Sequence, residues 1–497
     1  MSKKNIGRRN FIRTAGLGTL AIGSISAAAK GENSLTYRDV NVEKKPAPGK
    51  SVPNRPNILY LHSHDTGRFI QPYGFPVPTP NLQKLAEEGV LFKKYFTTHP
   101  TCSASRSSLL TGLYPHKNGM IGLAHRGFTL KDPKTHINFT LKKYGYHSVL
   151  SGIQHETPII DENSSKNIGY DEYLGNQGVA HTKAAEWLDK SPSSPFFLSV
   201  GFIETHRVFP AKNKDMNADH LIPPAPLPDV PEVREDIARF MESARILDEK
   251  MGTVLSALRR NGLEENTLVI CTTDHGIAFP TMKCNLYDGG TGIFLIMRGP
   301  GGFTGGRTIN SLVNVIDIFP TLCELLEIGK PAGLDGTSVM PLIRNEKEEI
   351  NEELFSQVNY HASYEPMRAI RTKRYKYIRR YGDRKKPVLP NCDDGSSKQY
   401  WVDNGWKDMD LPREELYDLI FDPNERNNLV TDNSKKNILS MMRLRLDNKM
   451  KSTDDPMQKG YIVAPPDAVL NNPDDLSPGD KTSKASELYK FNIPSNK

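Results

Sequence analysis

The sequence predicts an α/β fold built on a mostly parallel sheet with helices on both faces. Two observations carry that prediction. Apolar runs rich in β-branched and aromatic residues recur as NILYLHSHD, HSVLSGIQH, PFFLSVGFIETH and TLVICTTDHG, each ending on a histidine or an acid. Helical patterns such as TPNLQKLAEEGVLF and VREDIARFMESARILDEKMGTVLSALRRNG lie between them, the second closing on Gly262 as a helix end should. Strands that alternate with helices form parallel sheets with covered faces. In such sheets ligands bind beyond the carboxyl ends of the strands. Asp65, His155, His206, Asp274 and His275 each lie just past such an end, so they are expected to converge on one edge.

Read in order, residues 1–29 have a basic start, an apolar stretch from about Ala15 to Ile25 and small residues ending at Ala29. This is an export signal. Arg8-Arg9-Asn10-Phe11 looks like the twin-arginine type, which carries folded proteins and leads to the periplasm; an ordinary secretory signal is the alternative. Residues 30–55 are a linker, rich in Lys, Pro and Gly at its end. The larger domain is expected over 56–348. A smaller α+β domain is expected over 349–454, where MRAIRTKRYKYIRRY alternates like a half-exposed antiparallel strand. There EELYDLIFDPNERNNL reads as strand then turn, and KKNILSMMRLRLDNKM as helix. Residues 455–497 are a Pro-, Asp- and Ser-rich tail with little periodicity, expected to wrap the surface or stay mobile.

Composition narrows the function classes. The 497 residues are 37% hydrophobic and 25% charged, the balance of a soluble globular protein. The net charge of +7 is spread along the chain and not gathered in a run, which argues against nucleic acid and leaves an anionic small molecule or glycan open. No later apolar run approaches the roughly 20 residues of a membrane span. Five cysteines without a CxxC pair make no disulfide framework. Cys271 and Cys323 sit in apolar runs and read as buried small hydrophobes.

Cys102 is different, because it opens the polar stretch CSASRSSLLTG. A nucleophile at a helix N-terminus beside a guanidinium is activated there, so a plain catalytic thiol is possible on these grounds. The pattern C-x-A-x-R followed by Leu-Thr-Gly also resembles the signature of the formylglycine-dependent sulfatase family. PTPNLQKLAEEGVLFKKYF before it, and TGLYPHKNGM, TTDHG, NLYDGGTGIFLIMRGPGG, VNVIDIFPTLCELLEI with LDGTSVMPLI, and RAIRTKRYKYI with ELYDLIFDPNERNNL after it, stand in family order, so that the resemblance runs from about Pro56 to Leu429. The resemblance implies an alkaline-phosphatase-like α/β domain followed by a small C-terminal domain.

It also implies roles. Cys102 would be oxidised to formylglycine by a separate maturation enzyme, and its hydrate would attack sulfur, passing through a sulfated intermediate that collapses to the aldehyde. Arg106 would hold the developing anion. Asp65, Asp274 and His275, with the modified residue 102, would ligate one calcium ion. His206 would protonate the leaving group, His155 would join the catalytic set, and Lys283 would contact sulfate. The sequence departs from the family twice. His64 stands where most relatives have a second aspartate, and serves as metal ligand or sulfate contact; Ile153 stands where a lysine is usual, with Lys117 a further candidate cation.

HKNGMIGLAHRGF and HGIAFPTMKCNLYDGGT look closest to the heparan N-sulfatase (sulfamidase) branch, whose bacterial members also act on algal glycans such as ulvan. His125 and Arg126 are expected to face the substrate, with Arg207 and Arg68 gripping a uronic acid carboxylate. The leading expectation is an exported carbohydrate sulfatase acting on sulfated oligosaccharides. Its rivals are a sulfamidase, a phosphoesterase of the same fold and a non-catalytic glycan-binding protein.

Overall fold

Residues 55–192 and 195–489 are described by the structure, a computed structural model. The expected export signal, all but the last residue of the linker and the end of the tail lie outside the described residues. The central sheet comprises β1 (Asn57–Ser63), β2 (Val90–Phe96), β3 (His147–Gly152), β4 (Glu172–Tyr173), β5 (Phe196–Gly201), β6 (Thr267–Thr273), β7 (Gly292–Ile293), β8 (Leu295–Arg298) and β9 (Arg307–Asn314). Their order is β4-β3-β5-β1-β6-β8-β2-β7, with β9 paired to β2. From β4 to β6 the strands run parallel, and β8 joins β6 antiparallel.

Every position of β1, β5 and β6 is buried, as continuous apolar runs demand when both sheet faces are covered. Ile58, Tyr60 and Ile270 face one core, whereas Leu59, Leu61 and Val269 face another, against Leu247 and Met251 of the long helix Pro231–Arg260. Register then sets the site. Ser63 pairs with Thr273, His62 with Gly201, and Gly152 with Gly201, so four strands end level. A side chain at Gly201 would strike the Ile153 carbonyl at 1.8 Å, so glycine is required where β3 and β5 close together.

The sequence expectations need two local corrections. The helical reading of TPNLQKLAEEGVLF ends early: α1 covers Pro80–Glu88, and Val90, Leu91 and Phe92 already belong to β2. Gly89 makes the break, passing so close to the Met297 carbonyl that a Cβ would lie 2.5 Å from it. MRAIRTKRYKYIRRY is not one strand but two, with part of each in β11 (Tyr364–Thr372) and β12 (Tyr375–Arg380). The Tyr375 amide donates to Thr372 Oγ1 at 2.9 Å and closes the turn, which contains neither Gly nor Pro to announce it.

With β10 (Glu353–Tyr360) and β13 (Glu414–Asp418) these strands form an antiparallel sheet, β10-β11-β12-β13. Leu439, Met442, Leu446 and Met450 of the helix Lys436–Ser452 pack into the same core as Phe355, Ile370, Tyr377 and Leu416. Residues 455–489 are folded onto this body, with a short pairing of β14 (Val469–Asn471) and β15 (Thr482–Lys484) and with Ala468 and Leu470 buried. No helix among the described residues is long and apolar enough to cross a membrane.

The anchor of that last segment is the buried pair of Arg368 and Asp455, with Nη2 and Oδ1 2.9 Å apart. Burial pushes the Asp455 carboxyl up, but the Arg368 charge outweighs it and holds the group below the ordinary carboxylate range. The pair therefore stabilises the fold above the unfolded carboxyl pKa and loses that contribution as pH falls through the folded one. Asp455→Ala leaves a buried guanidinium unpaired and is expected to cost about 3–5 kcal/mol. A fall in urea midpoint at neutral pH that shrinks toward acid checks it.

Candidate functional site

Cys102 opens α2 (Cys102–Thr111), whose ten residues are all buried in spite of their hydroxyls. All of the hydroxyls but that of Ser108 are spent internally. Ser105 Oγ donates to the Asp274 carbonyl at 2.5 Å, Asn118 Nδ2 donates to Ser107 Oγ and Thr111 Oγ1 at 3.2 and 3.1 Å, and Ser103 Oγ accepts from the Ala124 amide at 3.0 Å. The polar run thus bolts the helix into the core and places residue 102 at its positive end.

Around Cys102 Sγ the strand ends deliver their ligands. His275 Nε2 lies 3.3 Å from Sγ, 3.2 Å from Asp65 Oδ1 and 3.7 Å from Asp274 Oδ1. His275 Nδ1 donates to the Gly276 carbonyl at 3.0 Å, which leaves the Nε2 lone pair facing the cluster. His64, Asp65, Cys102 and Asp274 each present one ligand atom, all within 4.8 Å of one another. Ligand atoms held about 2.0–2.4 Å from a shared cation stand roughly 3–4 Å apart, so these donors fit a single divalent ion. Asp65 takes a left-handed backbone conformation with φ of 49°, and its amide donates to Asp274 Oδ1 at 2.9 Å.

Arg106 lies beneath the cluster. Its Nε and Nη2 donate to Asp274 Oδ2 at 3.1 and 3.0 Å, Nη2 also donates to the Ser63 carbonyl at 2.7 Å, and Nη1 donates to His62 Nδ1. Burial pushes the Asp274 carboxyl up, but His275 and Arg106 outweigh it and hold it well below the usual range. Burial pushes the Cys102 thiol well up; Lys283 opposes this, and Asp65 and Asp274 add to it. An unmodified Cys102 is therefore a neutral thiol.

The mouth is lined by histidines. His64, His155 and His206 cluster with ring centroids 5.5 and 5.8 Å apart across His64, and His125 Nδ1 lies 3.1 Å from His155 Nε2. Burial first, then neighbouring charge, pulls His64 and His155 well below the ordinary imidazole range, so both are neutral. His206 Nδ1 donates to the Arg207 carbonyl at 2.5 Å, leaving Nε2 free to act. Lys283 Nζ sits 2.8 Å from both Asp65 Oδ2 and Asp393 Oδ2. Burial pulls its pKa down, but those two carboxylates hold it well above the ordinary value.

The expected converging set does meet at one edge, whereas two of the four expected substrate contacts have their guanidinium groups committed elsewhere. Arg126 donates to the carbonyls of Ala362, Val469 and Pro478 at 3.3–3.4 Å. Arg207 makes a two-pronged pair with Asp236 at 2.9 and 2.7 Å and lies over Phe209 and Phe279. Arg68 stacks on Phe96 at 4.6 Å, its Nε and Nη2 have no hydrogen-bond partner, and it borders a separate cavity of about 580 Å³. Only His125 is exposed beside the histidines. Lys117 is paired with Asp335 at 2.5 Å, and Ile153 is buried, so neither adds a cation. The sequence reading missed Asp393, His361 and His62. His361 follows the apolar run of β10, the same strand-end pattern that revealed the others; Asp393 lies in NCDDGSS, where nothing but turn composition is visible.

Comparison with known proteins follows the same geometry. The family profile described as Sulfatase matches residues 56–328, and that of N-sulphoglucosamine sulphohydrolase, C-terminal, matches 281–394. An ulvan-active sulfatase of Formosa agariphila is 28% identical over 90% of this chain and 91% of its own length. Human N-sulphoglucosamine sulphohydrolase is 29% identical over 85% of this chain and 94% of its own. A structure solved in complex with D-glucosamine-2-N,6-O-disulfate superposes with a TM-score of 0.61 at 18% identity, covering 81% of this chain and 99% of that one.

Proposed function

The chain belongs to the sulfatase family, and from that premise we propose that it is a carbohydrate sulfatase, exported to the periplasm, that hydrolyses sulfate esters of oligosaccharides from algal or glycosaminoglycan polysaccharides. The observation that carries the reading is the meeting of Cys102, at the head of α2, with Asp65, Asp274, His275, His64 and Arg106. Relatives named as an ulvan-active sulfatase and as a Delta 4,5-hexuronate-2-O-sulfatase support the substrate class.

Residue 102, matured to formylglycine, would supply the attacking hydroxyl, and a divalent cation bound there would polarise a sulfate oxygen. Asp65, Asp274, His275 and His64 would hold that cation. Arg106, fixed by Asp274, Ser63 and His62, supplies a preorganised positive charge beside residue 102. Lys283 adds a second cation from the opposite side. His206 Nε2 gives a proton to the departing oxygen. His155, stacked on His125, narrows the mouth and excludes water.

Release of inorganic sulfate from O- and N-sulfated disaccharides tests the reading, using protein co-produced with a formylglycine-generating enzyme. A second reading, sulfamidase, is favoured by the C-terminal profile over 281–394. Release from O-sulfated but not N-sulfated sugars excludes it, and the reverse excludes the ester reading.

Asp393→Asn gives a further expectation. It removes one negative charge from Lys283 and raises the net charge facing sulfate. For the dianion of inorganic sulfate, at an effective dielectric of about 20 and a separation of about 10 Å, this amounts to about 3 kcal/mol. Product inhibition by inorganic sulfate is therefore expected to tighten by roughly a hundredfold; inhibition constants that match the wild type would remove Asp393 from this role.

A further inference from the structure

We infer that His64 is a metal ligand and that it converts the cation site from an oxygen cage into a mixed imidazole-carboxylate site, which takes a first-row divalent ion such as Fe2+ or Zn2+ in preference to Ca2+. The inference rests on the proposed metal-dependent hydrolysis for the expectation that a cation belongs there; its identity is argued from donor chemistry.

His64 is 1% exposed, and neither of its ring nitrogens has a hydrogen-bond partner. A buried imidazole with both nitrogens unspent is rare, because each carries a desolvation cost unless something meets it. What surrounds it is the cluster. Nδ1 is 3.4 Å from Asp274 Oδ2, and a ring nitrogen shares the 4.8 Å envelope of Asp65, Cys102 and Asp274. The same His64 nitrogens also fall into a second such group with Cys102 and His155.

The donor set is then two carboxylates, Asp65 and Asp274, the imidazole of His64 and residue 102, with a second imidazole, His275, bringing Nε2 to 3.2 Å from Asp65 Oδ1 and 3.7 Å from Asp274 Oδ1. Calcium takes about 6–8 oxygen ligands and gains little from nitrogen. Imidazole suits Fe2+, Ni2+ and Zn2+, whereas Mn2+, like Ca2+, favours oxygen, and affinity for nitrogen donors rises along the row from Mn2+ toward Zn2+. Asp65 is also half occupied by Lys283 at 2.8 Å, which lowers the anionic charge a hard cation would find. Among the described residues no further carboxylate shares that ligand envelope. Asp393, the nearest candidate by charge, is 2.8 Å from Lys283 and is spent there.

Metal-stripped mature protein is loaded with Mn2+ and examined by pulsed electron paramagnetic resonance. Wild type is expected to show nitrogen couplings from two imidazoles, and His64→Asn from one. Calorimetric titration with Zn2+ and Ca2+ provides the second readout: His64→Asp is expected to shift the Zn2+-to-Ca2+ affinity ratio toward calcium by at least about tenfold. Because zinc-row ions outbind calcium at most nitrogen sites, the change in ratio decides, not the wild-type preference alone. A single nitrogen coupling in wild type, or an unchanged ratio in a folded His64→Asp protein, overturns the inference. Sulfate release alongside such a result would leave the proposed function standing, whereas intact nitrogen couplings without sulfate release would sink the function and keep the site.

Discussion

Alanine at position 102 is expected to lower kcat for sulfate release by at least about 10⁴-fold, while the protein stays folded. The prediction has two parts because Cys102 has two kinds of neighbour. Its backbone starts α2, and that start is held by Ser103, Ser105 and Ser107, none of which uses the Cys102 side chain. Loss of one buried sulfur therefore costs about 1 kcal/mol. Its side chain, in contrast, faces His275 at 3.3 Å and Asp65 at 4.0 Å, where the attacking oxygen must sit. Steady-state sulfate release and thermal unfolding on the same preparations check both parts. Unmodified cysteine is not a substitute nucleophile, since burial raises its thiol well above the ordinary range. Activity should therefore scale with the fraction of residue 102 converted to formylglycine, read from peptide mass. Full activity in unconverted protein would return the plain thiol reading to first place.

Much of this site was legible because its signals are local. β-branched runs that end on His or Asp need only a period of two and a stop, and the sheet register then brings Asp65, His155, His206 and Asp274 to one edge. The stretch around Cys102 is continuous in sequence, so its residue types were visible together. What was not legible depends on where side chains turn after the backbone is placed. Arg207 neighbours His206 in sequence but reaches Asp236 on the long helix, and Arg126 neighbours His125 but is consumed by carbonyls as distant as Pro478. Asp393 meets Lys283 across more than a hundred residues of chain, through packing of the C-terminal sheet against the central one. No spacing rule reports that. The two misread elements have the same origin: Gly89 ends α1 because β8 passes beside it, and the β11–β12 turn is closed by Thr372, not by a glycine or proline.

The second large effect is expected at His206, and it should depend on the leaving group. The Arg207 carbonyl takes the Nδ1 proton at 2.5 Å, so Nε2 is the only nitrogen left for chemistry, and the ring meets His64 edge-on at 5.8 Å. Asp393 lies within electrostatic reach: burial pushes its carboxyl up, but Lys283, then His206 and His361, pull it far down, so a carboxylate faces the imidazole. His206 Nε2 is placed to deliver a proton to the departing oxygen. A sugar hydroxyl is a poor leaving group and needs that proton; a nitrophenolate does not. His206→Ala should therefore lose about 10²–10⁴-fold in kcat on a sulfated disaccharide. On 4-nitrophenyl sulfate the same variant should lose less than about tenfold. His206→Gln, which can still hydrogen-bond, should behave like alanine because it cannot deliver a proton. Equal losses on both substrates would mean that His206 positions the sugar without protonating it. The contrast also separates His206 from Arg106, whose charge acts on the sulfuryl group itself: loss of that charge should slow both substrates alike, whatever oxygen leaves.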